Sequence, residues 1–239
     1  GILKEAAERL NEKFFTFMKT GLPFVGVKIA QTLDGKIADV SGTSKWVTGE
    51  QARQYAHGLR AEYDAVLIGA STVARDNPQL TVRHAHGRNP VRIVLDGKLS
   101  APVSARVFRA SVARTLLFTS TRAMRERQRN VRLLSKQGVE VVAASNSYSL
   151  DLSSVLSILA RLNISSVLIE GGSETLRAFL DSKLVHYVHC FVAPKVLGGG
   201  LNGWKLTTPL LLAKSIDVAN MRVTAVGRDI LIEGRLKYV

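Results

Sequence analysis

Cysteine is almost missing from this chain: Cys190 is the only one in 239 residues. No internal disulfide can form, which suits a reducing cytosol. Its place in the apolar run 186–193 gives it the expected role of a small buried hydrophobe. Long apolar runs are missing too, and none approaches the roughly 20 residues that span a bilayer. Lys4, Glu5, Glu8 and Arg9 interrupt the N-terminal stretch, so it lacks the apolar centre of a signal peptide. Negative charge is scarce, with 19 acidic against 33 basic residues and a net charge of +14. The densest basic stretch, 122–132, spreads Arg122, Arg125, Arg127, Arg129 and Arg132 around a helix without interleaved aromatics. It reads as a solvated face, and anionic small molecules are expected partners rather than nucleic acid. There is no Gly-x-Ser-x-Gly elbow and no His-x-Glu with paired cysteines, which removes serine hydrolase and zinc deaminase chemistry. His84, His86 and His57 have no acidic or cysteine companions at ligand spacing, so no metal is expected.

What is present is a substantial core. Apolar residues make up 46% and charged residues 22%, which supports a folded chain without disulfide or metal. Residues 2–18 carry Leu3, Ala6, Ala7, Leu10, Phe14 and Phe17 at helical spacing, ending at Thr20-Gly21-Leu22-Pro23. A strand over 24–32 follows, then a turn at Leu33-Asp34-Gly35-Lys36 and a short Ile37-Ala38 continuation. Thr48 and Gln51 have capping-box spacing ahead of a helix marked by Ala52, Tyr55, Ala56 and Leu59. A short run without alternation at 64–69, and the runs 91–95, 115–119, 139–143 and 166–169, read as strands, several separated by helices at 122–137 and 151–162. That alternation predicts a largely parallel sheet with helices on both faces. The strand-like runs 187–192, 223–226 and 230–236 lack an intervening long helix and predict antiparallel strands at the C-terminus. No repeat or linker divides the chain, so one domain is expected.

Three segments could carry chemistry. Glu170-Gly171-Gly172 joins a buried strand to a helix supported by Leu176, Phe179, Leu180 and Leu184. Glycines and a helix start suit a phosphate, although a tight strand-to-helix turn explains them equally well. Gly198-Gly199-Gly200 leads into a loop and reads first as a flexible one. The stretch from Ser71 to Arg83 follows a buried strand, at the edge where open sheets bind ligands, and Asp76-Asn77-Pro78 is either a site or a turn.

Together these segments resemble the pyrimidine reductase domain of riboflavin biosynthesis. The likeness runs through Lys28-Ile29-Ala30, Thr32-Leu33-Asp34-Gly35-Lys36, Gly42-Thr43-Ser44-Lys45-Trp46, Leu59-Arg60-Ala61, Asp76-Asn77-Pro78 to Arg83, Glu170-Gly171-Gly172 and Ala193-Pro194-Lys195. It covers most of the chain in order and is loose only over 100–150. The resemblance implies a three-layer, dihydrofolate-reductase-like α/β fold. It implies NADPH-dependent reduction of the ribosyl group of 5-amino-6-(5-phosphoribosylamino)uracil to ribityl. By resemblance, Ser44, Arg60, Leu80, Arg83 and Glu170 line the substrate site, with Arg60 and Arg83 as sugar-phosphate clamps and Glu170 facing the pyrimidine. Ala30, Trp46, Thr72, Asp76 and the turn through Gly172, Ser173, Glu174, Thr175 and Leu176 match cofactor-binding positions. Lys28 and Asp76 are the catalytic candidates. Lys28 would recognise a pyrimidine carbonyl or is merely an edge-strand charge; Asp76 would donate a proton or only hold its turn or ribose hydroxyls.

Two departures stand out: Gln31 where a smaller residue is usual, and Gly97 where the family often has a hydroxyl near the cofactor. Residues 1–22 resemble the connecting helix that precedes the reductase domain, 23–239, in proteins that also carry a deaminase. No deaminase signature is present, so the chain looks like the reductase half, cytoplasmic or trimmed of a plastid transit peptide, with the C-terminal strands suited to a homodimer. Another reductase of the same fold acting on a pterin or dihydrofolate, or a basic nucleic-acid-binding module, are the competing readings.

Overall fold

A computed structural model describes residues 10–83 and 85–238. Its strands are β1 (Phe24–Thr32), β2 (Lys36–Ala38), β3 (Ala65–Gly69), β4 (Val91–Leu95), β5 (Thr115–Ser120), β6 (Glu140–Ser145), β7 (Ser166–Glu170), β8 (Tyr187–Ala193), β9 (Leu201–Asn202), β10 (Asp217–Val226) and β11 (Asp229–Lys237). Its helices are α1 (Glu12–Thr20), α2 (Glu50–Glu62), α3 (Ala70–Asp76), α4 (Thr121–Glu126), α5 (Gln128–Lys136), α6 (Leu152–Arg161) and α7 (Ser173–Asp181). The backbone forms two compact units. One comprises the chain up to Val25 with Tyr63–Gln79 and Pro90–Val167; the other comprises Gly26–Glu62, Leu80–Asn89 and Leu168–Val239.

In the first unit β3, β4, β5 and β6 lie side by side, and every neighbour is parallel. Parallel neighbours need crossovers, which explains the helices alternating with them. Strand β3, Ala-Val-Leu-Ile-Gly, is buried at all five positions, as a strand covered on both faces must be. Arg92 on β4 is fully buried without an acidic partner. Its guanidinium instead donates to the carbonyls of Arg109 (2.8 Å) and Ala113 (2.6 Å), to Thr115 Oγ1 (2.6 Å) and to the carbonyl of Gln79 (3.3 Å). Burial pulls its pKa down to about 10. The side chain therefore fastens the 109–113 loop to the sheet.

In the second unit the strand order is β10-β11-β8-β1-β7. Strands β1 and β8 are parallel, from Gly26↔Tyr187 to Thr32↔Ala193, while β11 runs antiparallel to β8 and β10. Opposite each other on β8 and β11, His189 and Glu233 form a buried pair at 2.6 Å. The architecture is α/β, with a mostly parallel sheet and antiparallel strands at the C-terminal end.

Several local expectations change. Helix α1 stops at Gly21, as anticipated, but the first part of the 2–18 helix lies outside the described residues. The helix expected over 122–137 is two, α4 and α5, broken at Arg127 (φ −121°). Residues 70–76, expected as loop from Ser71, form α3 and end at Asn77 in the left-handed region. Helix α2 begins at Glu50, so the residue ahead of it is Gly49 rather than Thr48. The Gly49 N–H is taken by Asp229 Oδ2 at 2.7 Å, from the β10–β11 hairpin. Among the described residues no helix is long and apolar enough to cross a membrane, and no three metal-ligating side chains cluster; His84 lies outside them.

Candidate active site

The second unit gathers most of the predicted site. Glu170 ends β7, where its side chain is only 10% exposed. Arg60, in the last turn of α2, meets it with both arms: Nε to Oε1 at 2.6 Å and NH2 to Oε2 at 2.8 Å. A third donor, NH1, goes to the carbonyl of Thr81 at 2.9 Å. These bonds occupy the guanidinium expected on a sugar phosphate. Burial alone would raise the Glu170 carboxyl, but the adjacent Arg60, with Lys28 and His57 behind it, holds it below the ordinary 4.5. Glu170 is an ionised, buried acceptor held in place by Arg60.

Lys28 stands on β1, the neighbour of β7. Burial pushes its ammonium below the usual lysine value, Glu170 pulls it back up, and Arg60 lowers it again. Its Nζ lies 5.8 Å from the Phe191 ring centroid, so one side of the ammonium is apolar. Lys28 is thus a half-buried cation beside a carboxylate, not an exposed edge charge.

The Leu80–Arg83 segment closes the group. Leu80 is buried with φ +55°, a costly left-handed conformation for a branched side chain. It precedes the Thr81 carbonyl that receives Arg60. His57 sits one turn before Arg60 on α2, and its Nδ1 lies 3.0 Å from the same carbonyl and 3.3 Å from the Arg83 N–H. Burial, then the positive charges of Arg60 and Arg83, depress His57 to about 4, so it is neutral near pH 7. The sequence offered His57 only as a stray metal candidate; its i, i+3 spacing from Arg60 was the available signal. The Arg83 side chain is exposed.

Beyond Glu170, Gly171 and Gly172 have φ of +80° and +79°, which side chains bearing a Cβ adopt only at a cost. Gly172 caps α7 without any side-chain cap bond, so the first N–H groups of this nine-residue helix have no side chain on them. Ser173 and Thr175 are partly exposed, Glu174 pairs with Lys205 and Arg177, and the Leu176 side chain lies in the core. Trp46 is 62% exposed; the Arg53 guanidinium lies 4.2 Å from its ring centroid, and Lys195 Nζ donates to its carbonyl at 2.6 Å. Ala30 is partly exposed near the end of β1, and Ser44 lies in the loop before α2.

Asp34 is a residue whose role the sequence did not disclose. Its carboxylate accepts from Thr32 Oγ1 (2.5 Å) and from the N–H groups of Leu197 (3.2 Å) and Gly198 (2.8 Å). The Thr32 bond leads in lowering its pKa to about 2. The glycine loop expected to be flexible is therefore tied down. Thr72 and Asp76 belong to the other unit, on α3, with Asp76 its last residue.

A family model described as the RibD C-terminal domain matches residues 23–232. Riboflavin biosynthesis protein RibD of Aquifex aeolicus is 37% identical over 233 residues, 97% of this chain and 63% of that protein. The chloroplastic riboflavin biosynthesis protein PYRR of Arabidopsis thaliana is 33% identical over 91% of this chain and 36% of its own length. Among solved structures, a deaminase/reductase from Thermotoga maritima matches with a TM-score of 0.77 and 39% identity, over 99% of this chain and 63% of that one. Acinetobacter baumannii RibD matches with a TM-score of 0.84 and 30% identity, over 99% and 64%. The chain thus spans under two thirds of the length of these relatives.

Proposed function

The chain belongs to the RibD C-terminal domain family, and from that premise we propose that it reduces the ribosyl group of 5-amino-6-(5-phosphoribosylamino)uracil to ribityl, using NADPH. The observation that carries the reading is the buried Lys28–Glu170–Arg60 group. A pyrimidine with amino and ring N–H donors needs an ionised acceptor, which Glu170 supplies, and carbonyls need a donor, which Lys28 supplies. Arg60 acts in this reading as the positioning residue for Glu170, and the exposed Arg83 takes the sugar phosphate together with Ser44.

The Gly171–Gly172 turn supports the fit of a dinucleotide. With no Cβ at either position and free N–H groups at the start of α7, a pyrophosphate can approach the backbone. Trp46, Ala30 and the turn through Ser173, Glu174, Thr175 and Leu176 complete that side. When bound, the cofactor supplies the hydride. The acceptor is the imine carbon of the opened sugar, and the imine nitrogen must gain a proton. Lys28, made more acidic by burial, donates that proton from Nζ. Lys28→Met should lower turnover by about 10²–10⁴ with little change in NADPH affinity.

The end strand β10 exposes Val218, Met221 and Val223, and we extend the reading to a homodimer formed there, measurable by light scattering. The central test supplies NADPH with the deaminated phosphoribosyl pyrimidine and follows loss of nicotinamide absorbance and appearance of the ribityl product. Oxidation with dihydrofolate but not with the phosphoribosyl pyrimidine would refute the assignment.

A further inference from the structure

Residues 80–83, in the second unit, form a strained turn held by side chains from elsewhere. Leu80 has φ +55°, a conformation that persists only where its surroundings over-determine it. Three consecutive backbone groups after it are each tied to a side chain. The Thr81 carbonyl accepts from Arg60 Nη1 at 2.9 Å, the Val82 N–H donates to Asn89 Oδ1 at 2.9 Å, and the Arg83 N–H donates to His57 Nδ1 at 3.3 Å. Two of the three partners, His57 and Arg60, stand one turn apart on α2. The segment that carries Arg83 is thus fastened to the helix that carries Arg60.

His57 has no part in the chemistry proposed above, yet its imidazole is buried and crowded with polar groups. Three of them meet at Nδ1: the Arg83 N–H at 3.3 Å, Arg60 Nη1 at 3.3 Å and the Thr81 carbonyl at 3.0 Å. Two are donors, and the carbonyl already takes a hydrogen from Arg60. A bare Nδ1 satisfies both donors, which puts the ring proton on Nε2. Burial and the charges of Arg60 and Arg83 keep the ring from taking up a second proton. The residue type follows from the same crowding. A carboxylate here would compete with Glu170 for Arg60, and a lysine or arginine would set a third cation against Arg60 and Arg83. A neutral acceptor receives the Arg83 N–H and leaves Arg60 with both arms on Glu170.

We propose that His57 is a positioning residue for the substrate phosphate: its Nδ1 locks the 80–83 turn onto α2 and so sets where the Arg83 side chain emerges. The proposal rests on the reading of Arg83 as the residue that takes the sugar phosphate. His57 itself touches no substrate atom. Without the lock Leu80 can relax from its left-handed conformation, and Arg83 must then be ordered each time the phosphate binds. That cost falls on substrate binding, and the Lys28–Glu170 end keeps its chemistry.

Steady-state kinetics of the whole chain with the phosphoribosyl pyrimidine and with its phosphate-free ribosyl counterpart test this. His57→Ala should raise KM for the phosphorylated substrate roughly tenfold, the worth of one lost hydrogen bond, with kcat within about twofold. It should leave kcat/KM for the phosphate-free substrate within about twofold of wild type. His57→Asn places an amide atom where Nδ1 stands and should restore the KM; His57→Gln, whose amide lies one bond further out, should not. A fall in kcat at unchanged KM, or Asn and Gln variants that behave alike, overturns the proposal. So does a nitrogen-15 spectrum of the histidine-labelled chain in which His57 carries its proton on Nδ1 near pH 7. A wild type that treats the two substrates alike removes the phosphate role of Arg83 and the lock with it. A wild type that separates them, matched by a His57→Ala variant that separates them equally well, removes the lock alone.

Discussion

Replacing Arg60 with alanine strips Glu170 of two bonds of 2.6 and 2.8 Å and leaves a carboxylate only 10% exposed without its main cation. Breaking a buried pair from one side costs about 3–5 kcal/mol, and Lys28 nearby offsets part of it. The loss should depend on pH in a defined direction. In the wild type the Glu170 carboxyl sits below 4.5, so its contribution to stability is complete above that pH and fades only as pH falls through it. Without Arg60, burial becomes the dominant influence and raises the carboxyl, so the folded variant takes up a proton that the unfolded chain does not. The stability gap to wild type should therefore be widest near pH 8 and shrink on acidification, by up to about 1.4 kcal/mol per unit of pKa difference. Urea unfolding at pH 8, 6.5 and 5 measures it. The paired change Arg60→Met with Glu170→Met should recover most of the loss, because an apolar pair of similar volume carries no desolvation cost. A gap below about 1 kcal/mol, or one that is flat with pH, would refute the buried-pair reasoning.

Two further outcomes follow from the backbone around the sites. Arg92→Met should cost about 1–3 kcal/mol, since it leaves the carbonyls of Arg109 and Ala113 with only the longer bonds from the Val112 N–H and Thr115 Oγ1, and calorimetry should show a fall in Tm. Gly172→Ala should cost roughly 1–3 kcal/mol for its positive φ and weaken adenine-dinucleotide binding measured by fluorescence titration, whereas Ala178→Gly further along α7 should leave binding in place.

The sequence made the buried parallel strands legible because strands covered on both faces must be largely apolar, as β3 and the 167–169 centre of β7 are. It also exposed the Gly171–Gly172 turn, where chain direction itself demands glycine. What it did not disclose depends on separation along the chain. Arg60 and Glu170 were both named, yet their mutual bond joins residues 110 positions apart and follows from strand order. Asp229 holding Gly49 spans 180 positions. Strand β10 is longer than its apolar stretch because an end strand forms its ladder with β11 whatever its side chains are. The break at Arg127 left no mark in composition, since every neighbouring residue tolerates a helix.

The bonds of Asp34 have a consequence for the order in which this protein assembles. Asp34 and its neighbours are made early, yet the N–H groups they fasten belong to Leu197 and Gly198, 163 and 164 residues later. Strand β1 likewise waits for β8, while most of the first unit is one continuous stretch, Pro90–Val167. Closing so wide a loop is entropically slow. On a ribosome, the sheet of β3 to β6 can therefore form first, while the Lys28 strand stands unpaired with β8 until the last quarter of the chain has emerged. Truncation after Val167 but before β8 would leave the parallel unit foldable and this site without its neighbouring strand, a failure that a chaperone would meet as an exposed, apolar β1.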